Sequence, residues 1–240
     1  DMYFSTYDKK VFKAKVDGKT LGNIEPFVPE DLIIEPVSDI FCESAQSIWI
    51  TGTPSVNYNA SGKRLMDITS TLDFSRIVKA SDGVVYLTRA QGFAGFKGRK
   101  KVYDYRYERY YVPTAIAEDS DGVLWLGSLD GLYYFKNNRL KYYGHAHDVF
   151  KSRIADIEFT KTKQWIATWG SGLAIFENDS ITVLTEENGM RSNFLNVLFP
   201  DNDSTMWVGT NKGLNKVVYG KNGKIRIKKI SGSDGLPSNE

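Results

Sequence analysis

The sequence predicts an all-β protein built from repeats, and three observations support this. First, an aromatic anchor recurs every 37 to 46 residues, at Tyr3, Trp49, Tyr86, Trp125, Trp165 and Trp207. Second, each copy consists of short apolar runs rich in β-branched and aromatic residues, and no helical stripe extends across about ten residues. Third, a period of about 40 residues is typical of β-propeller blades. We therefore predict a β-propeller with four-stranded blades.

Turn signals and small residues mark the predicted strands. Asp82-Gly83 and Asp121-Gly122 precede two of the anchors, where a tight turn requires residues that tolerate positive φ. The run Leu124-Trp125-Leu126 does not alternate with polar residues, which predicts a sheet covered on both faces. A small residue stands two positions after every anchor, where bulk would collide with the next blade: Ser5, Thr51, Thr88, Gly127, Ala167 and Gly209.

The first two repeats are the least regular. Residues 1–20 fit the second half of a blade, because residues 3–11 align without a gap on residues 165–173. Residues 21–36 contain three prolines and predict a longer connection. Residues 38–49 predict an inner strand, a turn and the anchor strand, and residues 51–62 predict an irregular loop.

The later repeats follow at residues 72–107, 111–144 and 152–184, and a sixth begins after Asn188–Asn193. Asp234–Asn239 resembles that last phrase and predicts a seventh inner strand. We therefore expect residues 1–240 to be one propeller domain or fragment that begins within a blade and ends at the start of the next. It would hold about six blades of a seven-bladed or tandem propeller, with flanking propeller segments of the same protein covering its open sheet edge.

Composition excludes several classes of function. The chain has 41% hydrophobic and 25% charged residues and a net charge of +2, which gives no electrostatic case for nucleic acid. The basic stretch Lys97–Lys101 is expected to be an outer strand and loop. Cys42 is the single cysteine and excludes an intrachain disulfide. Because the sequence has no run of 18 apolar residues, we expect a membrane contact only through a segment outside it.

Neither a metal site nor a cofactor is expected. His145 and His147 have no third ligand at a suitable spacing, so we interpret them as loop histidines. Asp119–Gly122 and Asp201–Asp203 resemble half of a calcium loop but lack its remaining ligands, which favours hairpin turns. No histidine or cysteine lies in a catalytic motif, so we expect no enzyme activity. A polysaccharide-active enzyme with paired carboxylates stays as an alternative, because the fold and not the sequence spacing brings such pairs together.

Candidate ligand-binding residues lie in the loops that follow the anchor strands and that enter the inner strands. In a propeller, these loops share one face around the central opening. The candidates are Tyr7, Arg89, Asp130, Trp169, Arg191 and Asn211. Aromatic and arginine side chains at such a rim suit stacking on sugars and pairing with acidic groups. The alternative is that the aromatic residues pack on the loop of the next blade.

The repeated phrases resemble a known family. An Asp-Gly-Leu-Pro-Ser-Asn phrase, an inner strand, an acidic turn, a Leu-Trp-Ile-Gly-Thr-like anchor and a Gly-Leu pair resemble the two-component regulator propeller repeats of bacterial sensor proteins. The resemblance is specific in repeats four to six, which contain Trp125, Trp165 and Trp207 with Gly131, Gly172 and Gly213. It implies a periplasmic propeller, often one of two seven-bladed propellers in tandem, that precedes a membrane span and a kinase or DNA-binding output.

The resemblance therefore implies a periplasmic module that senses a ligand or partner without catalysis. Its ligand would be a small molecule or an oligosaccharide, and the full-length sensor would form a homodimer. The alternative from another class is a structural propeller of a cell-surface secretion system that binds protein or glycan.

Overall fold

The computed structural model describes residues 1–6, 10–17, 20–28, 37–68, 74–107, 111–220, 223–230 and 234. These residues form β-strands almost throughout, with three short 3₁₀ helices. The chain divides into two compact units, Asp1–Tyr111 and Val112–Glu240.

The first unit contains three sheets of consecutive antiparallel strands. The first sheet comprises β1 (Met2–Ser5), β2 (Val11–Asp17) and β3 (Thr20–Pro26). The second comprises β4 (Asp39–Ser44), β5 (Ser47–Thr51), β6 (Ser55–Tyr58) and β7 (Arg64–Ile68). The third comprises β8 (Phe74–Lys79), β9 (Val85–Arg89), β10 (Gly92–Lys97) and β11 (Lys100–Arg106). The basic stretch lies at the hairpin to the outer strand β11, as expected.

The second unit contains three four-stranded sheets of the same kind. The fourth sheet comprises β12 (Pro113–Glu118), β13 (Leu124–Ser128), β14 (Gly131–Lys136) and β15 (Arg139–Tyr142). The fifth comprises β16 (Ile154–Phe159), β17 (Gln164–Thr168), β18 (Leu173–Glu177) and β19 (Ser180–Leu184). The sixth comprises β20 (Leu195–Asn202), β21 (Thr205–Thr210), β22 (Gly213–Tyr219) and β23 (Ile225–Ile230). The 3₁₀ helices Gly144–Ala146, Asp148–Lys151 and Glu186–Asn188 lie in the connections between sheets.

The six sheets are blades of a β-propeller, which confirms the predicted fold class. The second repeat differs from its prediction. Residues 51–62 do not form one irregular loop, because a short turn through the cis Thr53-Pro54 bond leads directly into the buried strand β6. The polar residue Asn57 contributed to the prediction of a loop, although it belongs to a strand. It is buried within this strand, where its Nδ2 donates to Ser47 Oγ at 3.0 Å.

Each anchor tryptophan of the second, fourth and fifth sheets is hydrogen-bonded to a residue in or next to the turn that precedes its strand. The indole Nε1 donates to an oxygen five or six residues earlier, although the acceptor differs between the sheets. The pairs are Trp49 with Glu43 Oε2 at 3.0 Å, Trp125 with Asp119 Oδ2 at 2.7 Å, and Trp165 with Thr160 Oγ1 at 3.4 Å. Each of these indoles is therefore buried without an unsatisfied donor.

The fifth and sixth sheets pack face to face in one apolar cluster. Trp165, Ala167, Leu173 and Ile175 of the fifth sheet lie in the same cluster as Leu198, Met206, Val208 and Val217 of the sixth. Between the fourth and fifth sheets, a Cβ added to Gly127 would lie 2.8 Å from the Ile154 side chain. Bulk two positions after this anchor would thus collide with the next blade, as the sequence predicts.

Trp207 does not follow the other anchors. Trp49, Trp125 and Trp165 are buried, whereas Trp207 is only partly buried. The sheet face that carries Trp207 also exposes Val197 by 51% and Phe199 by 66%. In the described part of this unit, no neighbouring sheet covers this face. Lys216 Nζ lies 4.6 Å from the centroid of the Trp207 ring instead.

The two tryptophans Trp165 and Trp207 provide a matched test of packing between blades. Trp165→Ala should destabilise the protein by about 3–5 kcal/mol, because it removes a fully buried indole and leaves a cavity. Trp207→Ala should cost clearly less, since that indole is partly in solvent. Urea unfolding followed by far-ultraviolet circular dichroism measures both losses. Equal losses would contradict the role assigned to packing between the fifth and sixth sheets.

A carboxyl group at the same interface should make stability depend on pH. Burial raises the pKa of Glu158 from 4.5 to about 7, and the neighbouring Asp156 carboxylate adds to the rise. Asp156 itself accepts a hydrogen bond from Leu198 N of the sixth sheet at 2.8 Å. Because the folded protein holds the Glu158 proton more tightly than the unfolded chain, the contribution of Glu158 to stability falls as the pH rises through this window.

We therefore predict that Glu158→Gln is more stable than wild type at pH 8, by up to about 3 kcal/mol, and equally stable near pH 4. Urea unfolding of both proteins between pH 4 and 8 measures the difference. Glu187→Gln, at an exposed residue, is the control and should show no such trend. A constant difference between wild type and Glu158→Gln across this range would refute the proposed burial of the charge.

Candidate functional site

The candidate loops of the second unit meet at one end of its sheets. Ile154 at the start of β16 pairs with Thr168 at the end of β17, which brings the preceding Arg153 beside Trp169. Trp169 N donates to Arg153 O at 2.8 Å. In the sixth sheet, Leu195 pairs with Thr210 in the same way, and Asn211 N donates to Phe194 O at 3.2 Å. The loop before each inner strand therefore lies beside the loop after the anchor strand.

The segment Asn193-Phe194 joins the fifth and sixth sheets at this end. Asn193 O accepts hydrogen bonds from Gly170 N at 2.9 Å and from Gly172 N at 3.1 Å. The backbones of Trp169 and Phe194 also form an isolated antiparallel bridge. These contacts bring the predicted residues Trp169 and Asn211 together with Arg153 and Phe194, which the sequence did not single out. The predicted Arg191 contacts the hairpin that follows Asn211, where its Nη1 donates to Lys212 O. We call this group the rim cluster: Arg153, Trp169, Arg191, Phe194 and Asn211.

The rim cluster presents an exposed aromatic pair. Trp169 and Phe194 are each 40% exposed, and their ring centroids lie 5.5 Å apart with the rings inclined at 78°. The Arg153 guanidinium carbon lies 5.4 Å from the centroid of the Trp169 ring. Both rings thus pack against each other and still offer surface to solvent. Large apolar groups that stay exposed next to polar ones are typical of interaction sites.

The loop that presents Trp169 is fixed by its own hydrogen bonds. Thr168 Oγ1 donates to Gly172 O at 2.7 Å and accepts from Ser171 N at 3.1 Å. Gly172 has a φ of 82°, and a Cβ at this position would lie 2.2 Å from Leu184 O. Only glycine fits here. A fixed loop holds the Trp169 ring in place before any ligand arrives, which lowers the entropy lost on binding.

Arg191 is held over the first residues of β22. Its backbone N donates to Asn215 Oδ1 at 3.2 Å, and its Nη1 donates to Lys212 O at 3.4 Å. Lys212 Nζ pairs with Glu186 Oε1 at 3.1 Å. Arg191 has no ion pair of its own among the described residues. The guanidinium therefore keeps an uncompensated positive charge beside the β21–β22 hairpin.

The other predicted residues are placed differently. Asp130 lies at the corresponding end of the fourth sheet, where its Oδ2 accepts a hydrogen bond from Tyr133 OH at 2.9 Å. Arg89, in the first unit, is only 6% exposed and forms an ion pair with Asp104. Its guanidinium is therefore engaged within its own sheet, and we do not include it in the candidate site. Tyr7 lies outside the described residues.

Phe194, Arg153 and Asn215 were not predicted as site residues. Phe194 and Leu195 are consecutive apolar residues, Phe194 just before β20 and Leu195 its first residue, and successive side chains of extended chain point to opposite faces. One of the two therefore had to leave the core, and this signal could have identified Phe194. Arg153 and Asn215 gave no comparable signal, because their positions depend on contacts with Trp169 and Arg191.

The Asp119 loop uses its carboxylate within the turn. Asp119 Oδ1 accepts from Asp121 N at 3.0 Å and from Val123 N at 2.9 Å, while Oδ2 accepts the Trp125 indole N–H. This arrangement supports the hairpin interpretation of the sequence. The second acidic stretch is paired with lysines, Asp201 with Lys216 and Asp203 with Lys161.

The two histidines lie in the connection before β16. His147 Nδ1 accepts a hydrogen bond from Val149 N at 3.2 Å and thereby caps the short helix Asp148–Lys151. Within the described ranges, no three His, Cys, Asp or Glu residues are grouped closely enough to hold a metal ion. A search of the same ranges for a helix of sufficient length and hydropathy to span a membrane found none.

The sheets and their loops place the chain among the β-propeller proteins. Residues 109–130, which include the Asp119 turn and Trp125, match the family described as "Two component regulator propeller". The chain thus contains a two-component regulator propeller repeat, and the resemblance found in the sequence is confirmed. No curated protein sequence matches the chain significantly.

Solved structures show the same fold at low sequence identity. The extracellular domain described for the hybrid two component system BT3049 from B. thetaiotaomicron has a TM-score of 0.71 and 16% identity over 99% of this chain and 35% of that chain. The extracellular domain described for the one component system BT4673 from the same organism has a TM-score of 0.53 and 15% identity, over 95% and 36%. The chain therefore spans about a third of the length of these two extracellular-domain chains.

An enzyme shares the fold as well. Virginiamycin B lyase from Staphylococcus aureus has a TM-score of 0.65 and 16% identity over 83% of this chain and 71% of that chain. At these identities the structural likeness shows the fold and does not transfer an activity.

The Asp119 turn can be tested with its neighbour Asp121 as a control. Asp119→Ala should destabilise the protein by about 1–3 kcal/mol, because three donors, including the buried Trp125 indole, lose their acceptor. Asp121→Ala changes an exposed side chain and should have little effect. Thermal unfolding with and without about 5 mM calcium, which exceeds the Kd of weak calcium sites, should give the same melting temperature. Stabilisation of wild type by calcium, lost in Asp119→Ala, would favour the calcium loop instead.

Proposed function

We propose that this chain is a ligand- or partner-sensing propeller module of a two-component-type regulator, and that it acts outside the cytoplasm. The rim cluster is its proposed binding site. The exposed Trp169–Phe194 pair on a fixed loop is the observation that carries this proposal. The family match and the likeness to extracellular domains described for such regulators support the sensing role.

The composition of the rim cluster favours binding over catalysis. General acid or base catalysis requires a group that exchanges protons near neutral pH within reach of the ligand. The cluster contains two arginines, which stay protonated, and the nearby carboxylate of Glu186 is paired with Lys212. A flat aromatic surface with guanidinium and amide donors suits the ring and hydroxyl groups of a saccharide. We therefore propose a carbohydrate as the ligand.

A structural interaction propeller is the second candidate. The exposed sheet face with Val197, Phe199 and Trp207 favours it, because apolar surface of this kind is typical of contacts between proteins. The two candidates differ in the consequence of ligand binding. Only a sensor would change the output of the full-length regulator.

Trp169→Ala tests the site. If a saccharide stacks on the rim, this change should weaken binding by roughly 1–2 kcal/mol, which is about a 5- to 30-fold rise in Kd. The melting temperature should fall little, because the ring is partly exposed. Binding of the best saccharide from a glycan array, measured by calorimetry, gives the first quantity, and thermal unfolding gives the second.

Phe199→Ala is the matched control, because it removes an exposed aromatic ring from a different part of the sixth sheet. It should leave saccharide binding unchanged. If it weakens binding as much as Trp169→Ala does, the rim is not the site. If Trp169→Ala lowers stability and binding equally, the ring only packs against its neighbours. In the full-length regulator, loss of the saccharide response on Trp169→Ala would support sensing, and an unchanged response would contradict it.

A further inference from the structure

The hairpin that joins β14 to β15 carries three cations around one cavity. Lys136, Arg139 and Lys141 line a cavity of about 380 Å³ together with Tyr134 and Asn137, and no acidic residue of the described ranges lines it. Small-molecule sites occupy about 300–1,000 Å³, so this volume suits a small ligand. The three charged residues are exposed, and a dissolved ligand can therefore reach them.

The strand register places these side chains on one face of the hairpin. Lys136 pairs with Arg139, and Tyr134 pairs with Lys141. Residues two positions apart on a strand face the same way, so both pairs share a face. The Cβ atoms of directly opposite residues are about 4.5–5.5 Å apart. The three positive charges therefore surround a space that one small group can fill.

The turn of this hairpin fixes the register. Asn137 and Asn138 have φ angles of 53° and 59°, and positive φ at both central residues is what a type I′ turn requires. The β18–β19 hairpin of the fifth sheet turns in the same way at Asn178 and Asp179, with φ angles of 48° and 62°. The two hairpins can therefore be compared position by position.

Each of the other two sheets of this unit places a carboxylate among the cations at this end. Glu177 is the last residue of β18, as Lys136 is of β14, and its Oε1 lies 2.8 Å from Lys163 Nζ. In the sixth sheet, Asp201 Oδ2 lies 3.0 Å from Lys216 Nζ. The corresponding hairpin of the fourth sheet has cations instead.

The cations of the fourth sheet have no such partner. Among the described residues, no ion pair involves Lys136, Arg139 or Lys141. Asp119 lies in a turn at the same end of the sheet, but its carboxylate accepts hydrogen bonds from its own turn and from the Trp125 indole. Like charges directly opposite in a sheet destabilise it, so the pair of Lys136 and Arg139 lowers stability until an anion binds between them.

The number and kind of these cations favour a tetrahedral oxyanion. A guanidinium can donate two hydrogen bonds to one oxyanion, and a lysine ammonium acts as a point charge. A phosphate or sulfate ester has three terminal oxygens, one for each cation. The Tyr134 ring, whose centroid lies 5.6 Å from that of Trp125, forms a wall against which the rest of the ligand can pack.

We propose that Lys136, Arg139 and Lys141 bind the phosphate or sulfate group of a small-molecule ester, with Tyr134 beside its organic part. This site is separate from the rim cluster. β14 begins at Gly131, next to Asp130, and ends at Lys136, so the cavity lies at the end of the sheet away from the candidate loops. The inference therefore goes beyond the proposed function and holds whether or not the rim binds a saccharide.

The test is isothermal titration calorimetry of the whole 240-residue chain with D-glucose 6-phosphate, D-glucose 6-sulfate, inorganic phosphate and D-glucose. Potassium chloride keeps the ionic strength constant, because salt screens exposed charges. At least one ester should bind with one molecule per chain and at least threefold more tightly than inorganic phosphate. The tighter of the two esters identifies the oxyanion.

A matched pair of substitutions locates the binding. Arg139→Gln should raise the Kd of the tighter ester at least tenfold, because it removes the guanidinium that donates to the oxyanion. Arg226→Gln is the control, since this exposed arginine occupies the same place relative to Trp207 as Arg139 does relative to Trp125. It should leave the Kd unchanged. If Arg139→Gln does not fold, Lys141→Gln takes its place with the same expected rise.

The other outcomes contradict the inference. If Arg139→Gln and Arg226→Gln weaken binding equally, the protein attracts anions over its whole surface and has no such site. If inorganic phosphate binds as tightly as both esters, the site takes a free anion and the ester is refuted. If neither ester binds, the site is refuted.

Trp169→Ala separates this inference from the proposed function. It should leave ester binding unchanged, because its ring belongs to the rim cluster. If Trp169→Ala abolishes ester binding and Arg139→Gln does not, the ester binds at the rim. That result would refute the hairpin site and would support the rim as a binding site.

Discussion

Burial of an anchor indole between two blades, with its N–H bonded in its own turn, is the interaction on which the rest of this structure depends. Trp165 shows both parts, because it is fully buried against the sixth sheet and donates to Thr160 Oγ1. The hydrogen bond removes the cost of burying the indole N–H, so the whole ring contributes apolar surface. It also fixes the turn, which sets the register of the first two strands. The anchor tryptophan therefore stabilises both the geometry of its own hairpin and the packing between blades.

Hydrogen bonds from the backbone of one blade to an aspartate of the blade before it fix the relative position of the two blades. Asp39 Oδ1 accepts from Ile40 N, and its Oδ2 accepts from Ile77 N of the next sheet at 3.0 Å. Asp156 makes the same two bonds, to Ile157 N and to Leu198 N. Apolar packing alone would allow neighbouring sheets to slide against each other. A carboxylate that must accept a hydrogen bond from one particular backbone N–H fixes their relative position. Burial raises the pKa of Asp39, because desolvation penalises its charged form, and the hydrogen bonds from the backbone N–H groups of Ile77 and Ile40 oppose this rise.

The sequence predicted those features that the order of apolar and turn residues along the chain determines. The strands around Trp125 and Trp165 and the Asp119 turn carry their own pattern of apolar residues and turn residues, so a single repeat is enough to recognise them. The sequence did not predict features that depend on one particular contact between strands or sheets. The burial of Asn57 depends on Ser47 and the engagement of Arg89 on Asp104, each within one sheet, and the exposure of Trp207 depends on which sheet covers its face. The repeat pattern placed Trp169, Arg191 and Asn211 at one end, but it contained no information on Phe194 and Asn215 as their neighbours.

The rim cluster and its neighbour Asn215 differ from the anchors of the same unit. The buried indoles of Trp125 and Trp165 donate to acceptors in their own turns. At the rim, two aromatic rings stay exposed on a loop that glycine and threonine hold rigid, and a buried amide has no partner among the described residues. The exposed parts of the two rings and the unpaired amide do not contribute to the stability of the fold. They lie at the same end of the unit's sheets, which supports the proposal of a binding site there.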